Sequence, residues 1–317
     1  MNHKMHLFNK SKVCSVFLIG LSGLISQLAS SQTLEEIVVN AQLREENIQD
    51  VPVAVSAFSG DFLEENSIKD VIELMTSVPG LIVSTNQSSS TGNFAIRGVG
   101  TGAQNFGLES SVGLYVDGIY RARQSSMINQ LVDIEAIEVL RGPQGTLFGK
   151  NSASGALLVR SVAPSHEQNG FIEATIGKDS LFNLSAGFNF SLNDNLAART
   201  TVFSSERDGF VNVQNLGEDV NDRSRIGFKQ QFLYEPSNDF SARVIMDYSK
   251  IDEACCAALT LKDSFIASGR TDSAGAAVPG TDAILSALGG TVYRSGSFDD
   301  RQMSLNALPS SESEDRG

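Results

Sequence analysis

The sequence predicts a mainly β fold, in which a mixed α/β domain is followed by the first strands of an incomplete antiparallel outer-membrane β-barrel. Three observations lead to this prediction. The amino terminus has the layout of an export signal, residues 45–165 mix strand and helix patterns, and residues 166–317 contain strand-length segments of alternating apolar and polar residues. Export together with period-two alternation indicates strands that meet a membrane.

The export signal occupies the first residues of the chain. A basic amino-terminal stretch without acids is followed by residues 13–28, which are uncharged and mostly apolar. Ala29 and Ser31 then supply the small side chains that a signal peptidase requires. A membrane anchor is the alternative, but Gly and Ser interrupt a run that is shorter than the ~20 residues of a spanning helix. We therefore expect a cleaved signal peptide at residues 1–31.

Residues 45–165 are expected to form the mixed α/β domain. Residues 51–58 favour a strand, and residues 61–77 place apolar side chains near helical spacing, which predicts one helix. A hairpin is predicted at Val116-Asp117-Gly118-Ile119, because Asp-Gly is a turn signal. The further strand candidates are residues 94–97, 113–117, 137–141 and 156–162.

Five segments in the carboxy-terminal half alternate like barrel strands. Residues 182–192 obey a period of two at every position, and a strand of this length, tilted by about 45°, covers the apolar band of an outer membrane. The other four segments are residues 170–177, 196–205, 224–234 and 240–249. We expect one parity to face lipid and the other to face the lumen: Phe182, Phe188 and Phe190 against Asn183, Ser185 and Asn189.

The connections between these segments resemble those of outer-membrane barrels, which have short turns on one side and long loops on the other. Residues 193–195 and 235–239 are short connections, and residues 206–222 form a longer one. Membrane barrels begin at eight strands, so five strands predict a fragment, and residues 310–317 read as an extracellular loop. A secreted soluble sandwich also alternates and stays the alternative.

Composition excludes several function classes. The chain has 24 Lys and Arg against 37 Asp and Glu, a net charge of −13, so it lacks the basic footprint of a nucleic-acid-binding protein. Two of its three His lie within the first six residues, and no metal centre built from several His is expected. Cys255 and Cys256 are adjacent, which leaves both a vicinal disulfide and two free thiols open.

Two patterns suggest an enzyme, and neither is complete. RGPQGTLFGKNS at residues 141–152 ends like a phosphate-binding P-loop, but Gln144 and Asn151 stand where that loop needs Gly and Ser or Thr. His166 is isolated beside a Pro-containing linker, so a catalytic triad is not predicted. We therefore expect no enzyme. An activity that depends on His166 or Lys150 is the alternative.

Longer stretches resemble one family. IRGVG at residues 96–100, YVDGIY at residues 115–120 and, above all, IEVLRGPQGTLFGKNSASGALLV at residues 137–159 look like the plug domain of TonB-dependent outer-membrane receptors. LEEIVV at residues 34–39 is similar to the family's TonB box. The resemblance implies a plug that fills a 22-stranded barrel, of which this chain supplies about five strands. It divides the chain into a signal peptide (1–31), the TonB box and tether (32–44), the plug domain (45–165) and the amino-terminal part of the barrel (166–317).

The same resemblance implies a function. TonB-dependent receptors carry out energised uptake of a scarce nutrient through the cell outer membrane, and a ferric siderophore is the favoured ligand here. Cobalamin or an oligosaccharide is the alternative within the family, and a secreted binding or surface-interaction module is the alternative outside it. The implied partners are TonB with its inner-membrane energising complex, outer-membrane lipid and a small-molecule ligand. No cofactor, metal or nucleic acid is implied.

Positions that match the family pattern supply the candidate site residues. The TonB-binding residues are Leu34, Glu35, Glu36, Ile37, Val38 and Val39. The ligand-binding residues are Asn86, Gln104, Tyr120, Arg121 and Arg123. Arg97 and Arg141 are expected to contact carboxylates of the barrel. We expect the box to be held loosely when no ligand is bound, because it precedes the plug and has few apolar residues of its own.

Overall fold

The computed structural model describes part of the chain. The described residues are 38–39, 44, 46–85, 89, 92–102, 109–122, 131–257, 259, 274, 281–289, 301–303 and 311–316. They all belong to one unit, Val38–Gly317. The predicted signal peptide lies outside them. No helix among the described residues has the length and apolar character needed to cross a membrane.

The amino-terminal part, residues 38–161, is called the plug region below. Its strands are β1 (Val38–Val39), β2 (Glu46–Asn47), β3 (Ala54–Ser59), β4 (Leu81–Thr85), β5 (Gly92–Ile96), β6 (Val99–Gly100), β7 (Val112–Val116), β8 (Ile119–Tyr120), β9 (Ile134–Arg141) and β10 (Gly155–Ser161). Its helices are α1 (Gly60–Glu65), α2 (Val71–Leu74) and α3 (Gly145–Phe148). The strand predictions for this part are confirmed, with shifts of a few residues at the ends.

A five-stranded sheet in the order β3-β9-β10-β7-β8 forms the centre of the plug region. Its middle strands are apolar on both faces, as expected for strands that are covered on both sides. Ile137, Val139 and Leu157 pack with the helices in one core, whereas Leu140 and Ala156 belong to a second core on the other face. β10 pairs with β7 in parallel and with β9 antiparallel.

The single helix predicted at residues 61–77 is wrong, because the segment forms two short helices. Ser67 has a φ of 55°, which ends the first helical stretch. Asp70 then caps α2: its carboxylate accepts from the backbone N–H of Glu73, and the Glu73 carboxylate accepts from the backbone N–H of Asp70. This capping box starts a new helix where the apolar spacing alone suggested continuity.

The predicted Asp-Gly hairpin is confirmed between β7 and β8. Asp117 and Gly118 have φ values of 50° and 79°, and Val116 pairs with Ile119 on either side of them. Two consecutive residues with positive φ define the tight turn whose twist suits antiparallel strands.

The carboxy-terminal part contains the strands β11 (Gly170–Ile176), β12 (Phe182–Asn193), β13 (Leu196–Arg207), β14 (Val211–Val213), β15 (Glu218–Val220), β16 (Arg223–Ser237), β17 (Phe240–Glu253), β18 (Gln302–Met303) and β19 (Ser311–Arg316), and the helix α4 (Thr281–Ala287). β14, β15 and β18 form a small separate sheet. The other six form an antiparallel sheet in the order β11-β12-β13-β16-β17-β19, called the wall below. Its described strands do not close into a barrel.

The wall confirms all five predicted strands and their parity. On β12, Phe182, Phe188 and Phe190 are 40–46% exposed, whereas Ser185 and Asn189 on the opposite face are at most 9% exposed. The expectation that residues 310–317 form a loop is wrong. Residues 311–316 are β19, which pairs with β17 from Tyr248↔Arg316 to Glu253↔Ser311.

Candidate functional site

The end of the predicted TonB box is docked on the plug region. Val38 pairs with Asn47, and Val39 pairs with Glu46. The Val39 side chain is fully buried, in the same core cluster as Tyr115. The expectation of a loosely held box is therefore wrong at Val39, because this β-branched side chain finds an apolar surface on the sheet. The other four box residues lie outside the described residues: Leu34, Glu35, Glu36 and Ile37.

Tyr120, a predicted ligand contact, lies in a group of polar side chains on the β7–β8 hairpin. Its ring is 5.5 Å from the ring of Tyr115, and its hydroxyl accepts a hydrogen bond of 2.7 Å from Asn151 Nδ2. The Tyr115 hydroxyl donates to the backbone oxygen of Phe148 at 2.5 Å. The hairpin is thus tied to the segment at residues 145–151, which contains the end of the incomplete P-loop pattern.

An exposed ion pair completes this group. Lys150 Nζ lies 2.9 Å from Glu109 Oε2, and Asn151 Nδ2 also donates to this carboxylate. The hydrogen bond from Lys150, followed by the one from Asn151, lowers the pKa of Glu109, and the same bond raises the pKa of Lys150. Asn151 therefore bridges a charged carboxylate and the Tyr120 hydroxyl.

Arg121, predicted to bind ligand, contacts the wall. Its Nη2 donates to Asp247 Oδ1 at 2.8 Å, and its Nη1 lies 3.9 Å from Asp315 Oδ2. The structure therefore gives this guanidinium carboxylate partners on β17 and β19. The remaining predicted ligand residues, Asn86, Gln104 and Arg123, lie outside the described residues.

Arg97 and Arg141 do not pair with wall carboxylates among the described residues. Arg97 is exposed in the turn after β5 with a φ of 54°. Arg141 ends β9, and its Nε is buried without a hydrogen-bond partner among the described residues. Their expected contacts concern a complete barrel, so this assignment stays a prediction.

Other contacts between the plug region and the wall have the opposite polarity to those of Arg121, with carboxylates on the plug and cations on the wall. Asp133 Oδ1 lies 2.6 Å from Arg199 Nη2. Asp70 lies 3.5 Å from Arg223 and 3.8 Å from Arg225. Among the described residues, three Asp side chains make such contacts and are 3–4% exposed: Asp70, Asp117 and Asp133.

Asp117 is the third of these carboxylates and has the most partners. It accepts hydrogen bonds from the backbone N–H and the hydroxyl of Ser161. Arg243 Nη2 lies 3.5 Å and Lys229 Nζ 3.9 Å from it. The predicted turn signal therefore also carries a side chain that connects the plug region to two wall strands.

Sequence reasoning missed this interface, although a signal for it was present. Arg199, Arg225 and Arg243 all lie on the inward parity of their strands, where a lone charge is costly to bury. An inward cation on a barrel strand indicates a carboxylate on whatever fills the lumen. The sequence does not say which plug carboxylate, because the partners are at least 66 positions apart.

A cavity of about 110 Å³ lies between the plug region and the wall. Its apolar lining includes Val116, Leu131, Phe203 and Phe228, and its charged lining is Arg121, Lys229, Asp247 and Asp315. Within the described ranges, no three His, Cys, Asp or Glu lie close enough together to hold a metal ion. Cys255 and Cys256, whose state was left open, are joined by a disulfide after β17.

Comparison with known proteins defines the class. Residues 47–156 match the family model of the TonB-dependent receptor plug domain. The resemblance stated from the sequence is therefore confirmed for this part of the chain.

Curated relatives agree with this class. The pesticin receptor of Yersinia pestis is 29% identical over 184 residues, which cover 55% of this chain and 27% of the relative. The ferrichrome outer membrane transporter/phage receptor of Escherichia coli K12 is 28% identical over 196 residues, which cover 60% of this chain and 24% of the relative. Both are named as receptors or transporters rather than enzymes. The chain spans about a quarter of the length of these relatives.

Solved structures confirm the fold. The ferric yersiniabactin uptake receptor of Yersinia pestis superposes with a TM-score of 0.60 at 22% identity, over 63% of this chain and 32% of that structure. The ferripyoverdine receptor of Pseudomonas aeruginosa gives a TM-score of 0.59 at 17% identity, over 72% of this chain and 30% of that structure. The mainly β fold, a plug followed by open barrel strands, is therefore confirmed.

Proposed function

We propose that this chain is the amino-terminal part of an outer-membrane receptor that imports a ferric siderophore with energy delivered by TonB. The observation that carries the proposal is the docking of a plug region, through buried ion pairs, on the polar face of strands whose other face exposes Phe182, Phe188 and Phe190. Soluble monomeric proteins rarely expose a contiguous row of aromatic side chains. Outer-membrane lipid would cover them.

The choice of ligand class rests on the relatives. Their names connect them with ferrichrome, ferric yersiniabactin and ferripyoverdine. In this chain, Tyr120 and Asn151 are partly buried and offer hydrogen-bonding groups beside the hairpin turn. Asn86, Gln104 and Arg123, which match the family pattern, would add further contacts. Cobalamin and oligosaccharides stay the alternatives.

TonB would bind the box at residues 34–39 by adding a strand, because main-chain hydrogen bonds supply affinity in such complexes. The docked end of the box would then be the point at which force from TonB reaches the plug region. Val39 is buried against the sheet that carries Tyr115, so a pull on the preceding residues would enter the plug region at this point. The proposed division of the chain is unchanged: signal peptide 1–31, box and tether 32–44, plug 45–165, and wall strands from residue 166.

Uptake by whole cells tests the proposal. A strain that lacks the gene encoding this chain, and the same strain with the gene restored, are starved of iron and given ⁵⁵Fe complexed to ferrichrome, yersiniabactin or pyoverdine. We expect restoration to increase energised uptake of at least one complex and dissipation of the proton gradient to remove that increase. Radiolabelled cobalamin is given to both strains in parallel. If both strains took up the three iron complexes equally and restoration of the gene increased cobalamin uptake, the ligand would be cobalamin and not a siderophore. Recovery of the protein from the periplasm or medium without detergent would favour the soluble module.

A further inference from the structure

The β7–β8 hairpin contacts the wall from both of its ends. Asp117, in the turn, lies 3.9 Å from Lys229 and 3.5 Å from Arg243. Arg121, directly after β8, bonds to Asp247 at 2.8 Å. Tyr120 lies between these two attachment points in the sequence.

Two of the wall residues that face the hairpin are direct neighbours. Lys229 on β16 and Asp247 on β17 are direct cross-strand partners. Asp117, Lys229, Asp247 and Arg121 therefore form a group, called the charge square below, in which the charges alternate in sign. Each of its side chains is at most 19% exposed.

The square favours one position of the hairpin on the wall. Opposite charges attract more strongly in this partly buried setting than in water. A shift of the hairpin by one residue along the strands would separate Arg121 from Asp247 and leave both charges buried with fewer partners, which is costly. Shape alone does not give this constraint, because the neighbouring cavity between the plug region and the wall leaves space beside the hairpin.

We propose that Asp117 and Arg121 are positioning residues, which hold the hairpin on the wall and thereby fix the place of Tyr120. The proposal rests on the proposed function for the importance of Tyr120. Arg121 acts in it through Asp247, and Asp117 acts through Lys229 and Arg243. The hairpin then connects Tyr120 with two wall strands, β16 and β17.

Hydrogen–deuterium exchange of the full chain in detergent micelles tests the proposal without any ligand. The reporter is the backbone N–H of Arg121, which donates to the oxygen of Leu114 at 2.9 Å. The variants are Arg121→Gln, Asp247→Asn and the double variant, with Arg121→Lys as the conservative change. Glu173→Gln is the matched control, because it removes the ion pair of Lys69 with Glu173, a plug–wall contact away from the hairpin.

We expect the reporter amide to exchange about tenfold faster in either single variant than in the wild type. The double variant should exchange at the same rate as the single variants, and Arg121→Lys at a rate between those of the wild type and Arg121→Gln. Glu173→Gln should leave it unchanged, and amides of β9 should keep their protection in every variant. Wild-type exchange at the reporter in Arg121→Gln would overturn the proposal. The proposal would also be overturned if the increases in exchange rate from the two single changes multiplied in the double variant, or if amides throughout β9 exchanged faster. Because no ligand is present, a failure of siderophore uptake would leave this result standing.

Discussion

Asp133 and Arg199 form a two-pronged ion pair between the plug region and the wall. Arg199 Nε donates to Asp133 Oδ2 at 2.7 Å, and Nη2 donates to Oδ1 at 2.6 Å. The Thr201 hydroxyl donates to the same carboxylate at 2.5 Å. The two charged side chains are 3% and 6% exposed. A planar guanidinium matches a carboxylate in this way, whereas an ammonium cannot.

Removal of Arg199 should destabilise the chain. Arg199→Leu leaves the Asp133 carboxylate buried with Thr201 as its remaining side-chain partner among the described residues, and breaking a buried pair in this way costs about 3–5 kcal/mol. Denaturant unfolding in micelles should show the loss. The double variant Arg199→Leu, Asp133→Asn removes both charges and should recover more than half of it. A double variant as unstable as the single one would mean that packing, not charge, is responsible.

Gly155, at the start of β10, should tolerate no side chain. Its φ is 149°, and an added Cβ would lie 2.2 Å from the Leu140 oxygen and 2.8 Å from Ile96 Cδ1. Gly155→Ala should therefore disturb the pairing of β10 with β9 and reduce the free energy of unfolding by about 1–3 kcal/mol. Gly145→Ala is the control, because a Cβ added at Gly145 would meet no atom within 4 Å and this residue begins α3. Equal stability of the two variants would contradict the prediction.

The wall strands were predictable because their apolar residues repeat with a period of two. β19 was not predictable, because SESEDR has no apolar residue that could show a period of two. This strand forms through backbone pairing with β17. The break between α1 and α2 could have been found, because Asp70 and Glu73 have the spacing of a capping box. The plug–wall ion pairs join residues far apart in the sequence, and single-sequence patterns do not choose among several Asp and Arg.

The Glu109–Lys150 pair should make the Tyr120 environment sensitive to acid. Lys150 and Asn151 lower the pKa of Glu109, so the contribution of this carboxylate is present above its ordinary pKa and is lost as the pH falls through the lowered value. We expect an NMR titration of the Glu109 carboxyl carbon to show this lowered pKa. Lys150→Met should raise it toward the ordinary value. An unchanged Glu109 pKa in Lys150→Met would contradict the assignment.

Energy coupling should fail when proline replaces Val38, if the chain acts within a complete receptor. Proline removes a backbone donor and fixes φ, and a residue within a paired strand tolerates both changes poorly. Strand addition by TonB should therefore be lost. Val38→Pro should abolish energised ⁵⁵Fe-siderophore uptake, while binding of the same complex to de-energised cells stays at the parent level, because the hydrogen bond between Tyr120 and Asn151 does not involve β1. Val38→Ala is the control and should retain uptake, since it keeps the donor. Uptake by Val38→Pro at the parent rate would mean that residues 32–44 serve only as a tether.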